Sequence, residues 1–563
     1  MSSKKICSRS LISIMPVFAA WIFLGCQDVS KNRADTGNVL YDLTRTSDGI
    51  TISVAFQGEK DGSTEVLMGG KWADEQSPHN RFQNIKIEGG TFKNNGSTLT
   101  IDHQPSTDIV LSYDLKIADQ REAAVDPTYF FAPVLTDDYI HLIGYTSLAV
   151  PKLEGDMTVS YIGDWSGNDD STILRSRLLK PGRPVSSKGV QSGFLMFGAF
   201  ELSESQDGRV QIATAPGVSV SSENILQEVA PLLNAMSELW DDEPLDYSVT
   251  LLPFTTERGT VLAGTAFPGG FSAALTPDIK TSDIQRFLAH ETAHEIVPLR
   301  LGQPEFDSTD REGEGYWISE GFAEFFSREA QILAGTLDKD ALIERVNDDL
   351  RELYQSPTRN ALNVQVGTDF WTNRDIERLP YLRGSLLAHK WDAIIRQRSL
   401  GDAGMMDVLR DLGEKATNSE SNIVLSVDAV LRTLENRGAN KAREDYESVI
   451  VNGEDFLPPP NMLGACYDVR LVNEGTYDVG FDANATLSNG IVSGVATDSA
   501  AYKAGLRNGL KFLEKVSGGG GDTSAPLVLR LQGEDDPFEL SYLPISSPFT
   551  SVPQFFRKAK CKH

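Results

Sequence analysis

His290-Glu291-Thr292-Ala293-His294 sets two imidazoles four residues apart with a carboxylate between them. On a helix such a pair lies about 40° apart around the axis, so both rings leave one face. Two ligands of a tetrahedral zinc ion need that geometry. Catalytic zinc takes a third protein ligand and keeps its fourth position for water. Downstream, Trp317-Ile318-Ser319-Glu320-Gly321-Phe322-Ala323-Glu324 buries Glu320 among apolar neighbours, where a carboxylate needs a partner. Glu320 is therefore the expected third ligand of one zinc ion. Glu291 is placed to take a proton from a metal-bound water. Glu324, one turn after Glu320, is placed to hold a ligand histidine by its other ring nitrogen; a solvated helix face is its plainer reading.

These side chains need elements to aim them. The 563 residues allow about three domains, and the expected class is multidomain α+β. Between 39 and 220, apolar residues alternate with polar ones: Ile50, Ile52, Val54 and Phe56, then Leu111, Tyr113, Leu115 and Ile117, then Met157, Val159 and Tyr161. Turn clusters at Gly89-Gly90 and Asn94-Asn95-Gly96 separate them, which predicts an N-terminal antiparallel β domain. From Ser222 the period becomes helical through Ile225, Val229, Leu233, Met236 and Trp240, with a kink expected at Pro231. A strand follows at Tyr247, Val249 and Leu251, and Phe271 to Leu275 reads as an edge strand. Helices then dominate to about 450, including the histidine helix near 283–297, the Glu320 helix, and a long one from about Tyr381 to Arg398. Glu454 to Pro460 reads as a linker, and 465–563 returns to short strands with Gly-rich turns.

The N-terminus reads as an export signal. Lys4, Lys5 and Arg9 precede an apolar run from Leu11 to Gly25, too short for a comfortable membrane span. Cys26 directly after Leu24-Gly25 resembles a bacterial lipoprotein processing site, with Phe23 where such sites more often carry Leu. The resemblance implies a signal peptide at 1–25, lipidation of Cys26 and a polar tether at 26–38. Gln27 is not the aspartate associated with inner-membrane retention, so the expected location is the cell envelope, at the periplasmic side of the outer membrane. Simple secretion or an uncleaved anchor are the alternatives. Removing 1–25 takes the formal net charge from −27 to −30, which disfavours nucleic acid as a partner. In an oxidising compartment Cys466 and Cys561 can form one disulfide, two free thiols being the alternative.

Taken in order, these motifs resemble the gluzincin metallopeptidases, and specifically the glycyl aminopeptidase family. The 25 residues between His294 and Glu320 fit that family. So does Pro380-Tyr381-Leu382-Arg383-Gly384, which resembles the helix that carries its catalytic tyrosine. The resemblance implies a β domain at 39–220, a thermolysin-like, mostly α catalytic domain at 221–455 and a PDZ-like β domain at 465–563. It implies zinc on His290, His294 and Glu320, Glu291 as general base, and Tyr381 as hydrogen-bond donor to the oxyanion. Val479-Gly480-Phe481-Asp482, Gly490-Ile491-Val492 and Ser499 to Gly509 resemble a PDZ domain, where a loop before an apolar strand captures a peptide's C-terminus. Leu510 stands in place of its usual Asp.

One departure concerns substrate binding. Aminopeptidases of this clan hold the substrate's amino group with a glutamate on the edge strand, and Gly264 to Leu275 contains no acid. Gly270, Phe271, Ser272 and Ala273 then form a substrate strand acting through backbone alone. Amino-terminal and internal cleavage both stay open. The leading expectation is an envelope zinc peptidase acting on peptides or proteins. The alternative is an inert peptide-binding or scaffolding protein on the same fold, against which an intact Glu291 argues, since a structural metal needs no base.

Overall fold

The computed structural model describes residues 38–561 apart from 47–48, 71–77, 118–131, 165–171, 242, 244, 255–261, 280, 305–311, 418–423, 520–522, 524, 534–535 and 547–548. Cys26, the signal segment and nearly all of the tether lie outside the described residues. Among those described, no helix is long and apolar enough to cross a membrane.

Alternation in the N-terminal region produces paired buried faces. Ile50, Ile52, Val54 and Phe56 stand opposite Leu115, Tyr113, Leu111 and Ile109, and all eight are buried. Their strands belong to a six-stranded sheet that is mixed rather than antiparallel, because Val39–Thr46 runs parallel to Met157–Asp164. Alternation sets which face is buried but not strand direction, and the long chain between these two strands permits a crossover.

Residues 201–214 pair into a second sheet that continues into the strands beyond residue 240. Strand β1 (Val210–Thr214) pairs antiparallel with Glu201–Glu204 on one side. On the other it lies parallel to β2 (Tyr247–Pro253), joined through α1 (Ser222–Trp240) in a βαβ unit. The Ser221 side chain accepts the Asn224 N–H at 3.2 Å to start α1, which runs through Pro231 and stops at left-handed Asp241. Two more strands complete the sheet: β3 (Leu262–Phe267) at the edge and β4 (Gly270–Leu275) between β3 and β2. Ile225, Val229 and Leu233 of α1 pack with Ile212, Val249 and Phe271 of the sheet.

The helical body holds α2 (Thr281–Ala293), α3 (Tyr316–Ala334), α4 (Lys339–Gln355) and α5 (Arg374–Arg398). Trp317, Phe322, Phe325, Leu386 and Trp391 are fully buried at its centre. Helix α5 begins at Arg374 rather than Tyr381, because Asn373 caps it by accepting the N–H groups of Asp375 and Ile376 at 3.0 and 3.4 Å. Pro380 lies within the helix, so it does not mark the start.

The C-terminal segment divides in two. Strands β5 (Tyr467–Glu474) and β6 (Thr550–Arg557) pair with each other and dock on α4, where the Asn347 amide donates to Phe555 O at 3.1 Å and accepts from Phe555 N at 2.8 Å. Tyr467, Val552 and Phe555 belong to the helical body's core. A disulfide joins Cys466 to Cys561 across the ends of this ribbon. The chain between β5 and β6 forms a separate three-stranded sheet with its own core around Val492, Leu506 and Leu529. After Val479–Asp482 comes a helix (Ala483–Asn489) capped by Asp482.

Candidate metal centre

The last turn of α2 carries His290, and His294 follows in the turn after Ala293. Each ring is fixed through Nδ1, which donates to Glu324 Oε2 at 3.1 Å in His290 and to the Val297 carbonyl at 2.8 Å in His294. Both Nε2 atoms then face Glu320 Oε2, at 3.2 and 3.3 Å. Zinc bonds of 2.0–2.1 Å in tetrahedral geometry space ligand atoms about 3.3 Å apart, so the three residues fit that ion. Three acceptors converging at a partly buried point require a cation among them. Burial opposes charge on His290, yet Glu320 and Glu324 push its value up to about 10. A proton and a divalent metal therefore compete for the same lone pairs.

The glycine crossing of α3 and α5 brings the other groups in. The two helices touch at Gly321 and Gly384, where a Cβ on Gly384 would stand 2.1 Å from the Trp317 carbonyl. That approach seats Tyr381 with its ring centroid 5.4 Å from that of His290, and the Arg378 guanidinium lies over the tyrosine ring, 5.1 Å from its centroid. Burial, followed by the charges of Glu320 and Glu291, holds the Tyr381 hydroxyl well above its ordinary value, so it stays a donor. Burial also raises the Glu291 carboxyl, against the pull of His294 and His290. Among the described residues, no hydrogen bond or ion pair holds the Glu291 carboxylate.

A buried charge network stands behind His290. Glu324 accepts from Arg328 at 2.6 Å and from Arg286 at 3.2 Å, and Arg328 also reaches Asp349 of α4 at 2.6 Å. Burial alone would raise the Glu324 carboxyl, but Arg328 and Arg286 hold it well below its usual range, so it remains an acceptor for the His290 N–H. Arg286 and Arg328 were detectable by their spacing of four from His290 and Glu324. Asp349 had no such signal.

The substrate strand requires a correction. Gly270, Phe271, Ser272 and Ala273 lie on β4, an inner strand hydrogen-bonded on both sides and buried throughout, so its backbone is not available to a peptide. The edge belongs to β3, which is antiparallel to β4. The turn between them is tied to the metal helix by Glu295, directly after His294. Its carboxylate accepts the Gly269 N–H at 2.6 Å and pairs with Arg177 of the N-terminal domain at 3.1 Å. Gly269 has φ +80, and a Cβ there would meet Arg177 at 2.5 Å, so glycine is required. Glu295 was missed in the sequence, where only its adjacency to the motif marked it.

Comparison with the profiles of known protein families and with curated protein sequences finds no match. Among solved structures, the chain is similar to an aminopeptidase N family protein from Idiomarina loihiensis, at 13% identity and TM-score 0.64, over 92% of this chain and 98% of that one. Yeast LTA4 hydrolase aligns at 14% identity and TM-score 0.43, over 77% of this chain and 72% of that one. The multidomain α and β architecture, with N-terminal sheets followed by a helical body, is thus shared with the Idiomarina loihiensis protein.

Proposed function

We propose that the chain is a zinc-dependent peptidase of the bacterial cell envelope, of the glycyl aminopeptidase kind. The observation that carries this reading is the convergence of His290, His294 and Glu320 beside Glu291, a carboxylate that no described neighbour holds. Zinc bound there supplies Lewis acidity to the scissile carbonyl and acidifies the attacking water. Glu291 accepts that water's proton and returns it to the leaving nitrogen, a task its raised carboxyl value suits. Tyr381 donates its hydroxyl proton in a hydrogen bond to the carbonyl oxygen as negative charge develops. Strand β3, at the edge of the sheet, is the side along which an extended peptide would add.

Anchoring through lipidated Cys26 belongs to the same proposal and rests on sequence alone. The test of function is peptide hydrolysis that rises with zinc up to one equivalent and disappears with a chelator. The lack of an acid on β3 favours a second reading, peptide binding without hydrolysis, which the same titration decides.

A further inference from the structure

We propose that Glu377 binds the positively charged amine of the substrate beside the scissile carbonyl, so that the site takes peptides by their free N-termini. This rests on the peptidase reading above. Glu377 precedes Tyr381 by one turn of α5, which places the two side chains on one helix face about 5–6 Å apart at Cβ. Tyr381 in turn stands against His290. Glu377 is part-buried, and among the described residues no hydrogen bond or ion pair holds its carboxylate. Arg378, beside it in sequence, lies over the Tyr381 ring and gives its ion pair to Glu352 at 2.7 Å.

Electrostatics supports the assignment. Burial lifts the Glu377 carboxyl against the opposing pull of Arg374 and Arg378, and Glu320 adds to the lift. The charge of Glu377 is felt in turn at the Tyr381 hydroxyl. Glu291, Glu320 and Glu377 bring negative charge around Tyr381, partly offset by Arg378 over its ring, and this field attracts a substrate ammonium. A cation held by Glu377 lies beside Tyr381, the donor to the scissile carbonyl, and the α-amino group of the first residue lies there. A lysine side-chain ammonium would reach several ångströms further out. The acid missing from β3 is thus supplied from α5.

The test uses the zinc-loaded full chain and calorimetric binding of leucine hydroxamate, N-acetyl-leucine hydroxamate and N-acetyl-lysine hydroxamate, beside hydrolysis of a leucyl peptide and its N-acetylated form. The expected result is a preference for the free amine that falls by ~10- to 100-fold in Glu377→Gln and partly returns in Glu377→Asp, at one zinc per chain throughout. An undiminished preference in Glu377→Gln, no preference in the unaltered chain, or a dependence on Glu377 confined to the lysine probe would overturn the assignment. If neither peptide is cleaved, the peptidase reading fails, while the hydroxamate comparison still decides the role of Glu377.

Discussion

Gly321 of α3 lies so close to Gly384 of α5 that a Cβ on Gly321 would come within 2.4 Å of the Gly384 Cα. Glu320, the neighbour of one glycine, is a ligand candidate, and Tyr381, three residues before the other, faces His290. The crossing therefore sets the distance between the candidate ligand Glu320 and Tyr381. Alanine at Gly384 should cost about 1–3 kcal/mol by overpacking and displace Tyr381 from the centre. Thermal unfolding and turnover of the variant check this, and an unchanged melting temperature with unchanged turnover would refute the tight crossing.

Glu324 holds His290 at Nδ1 and is itself held by Arg286 and Arg328. Glu324→Ala should weaken zinc binding roughly 10- to 100-fold. Competition with a chromogenic chelator measures it, and an affinity equal to the unaltered protein's would show that the ring needs no such support.

The metal-free protein should carry a pH signature. His290 has its value raised from 6.5 to about 10 by Glu320 and Glu324, against the effect of burial. A value raised by folding gives stability that is complete below about pH 6.5 and is lost as pH climbs through about 10. The metal-free melting temperature should thus fall between those limits, and the zinc-loaded protein should not lose this increment, since the metal replaces the proton. Parallel melting profiles for the two forms across that window would count against the convergence of charges described.

Much of this centre was legible because it is local. The spacing of His290, Glu291 and His294 is a helical period, and Glu320 stands out as an acid among buried aromatic residues. Asp349 was not legible, since only the packing of α4 brings it to Arg328. The misplaced edge strand has a physical cause. A short run of apolar and small residues such as Phe271 to Leu275 marks a strand buried on both faces, which is the inner β4, whereas the part-exposed β3 lies outside it. The mixed sheet escaped notice because alternation at Tyr41 and Val159 fixes facing and leaves direction open.

Glu295 joins the metal helix to the β3–β4 turn and to the N-terminal domain. Glu295→Ala leaves the Gly269 N–H without its partner, at a cost of about 1–3 kcal/mol, and frees the β3–β4 hairpin, whose edge is proposed to bind the peptide. KM should rise more than kcat falls, and Arg177→Met should show the same split more weakly. Steady-state kinetics would contradict this if kcat alone changed.

The central claim is hydrolysis by Glu291 beside a zinc ion on His290, His294 and Glu320. Its most direct test compares the unaltered protein with Glu291→Gln on a mixed peptide library, with zinc quantified in both and products read by mass spectrometry. The account predicts one zinc per chain in each protein and product formation lowered by roughly 10²–10⁴-fold in the variant. Equal turnover by the two proteins at equal zinc content would contradict it.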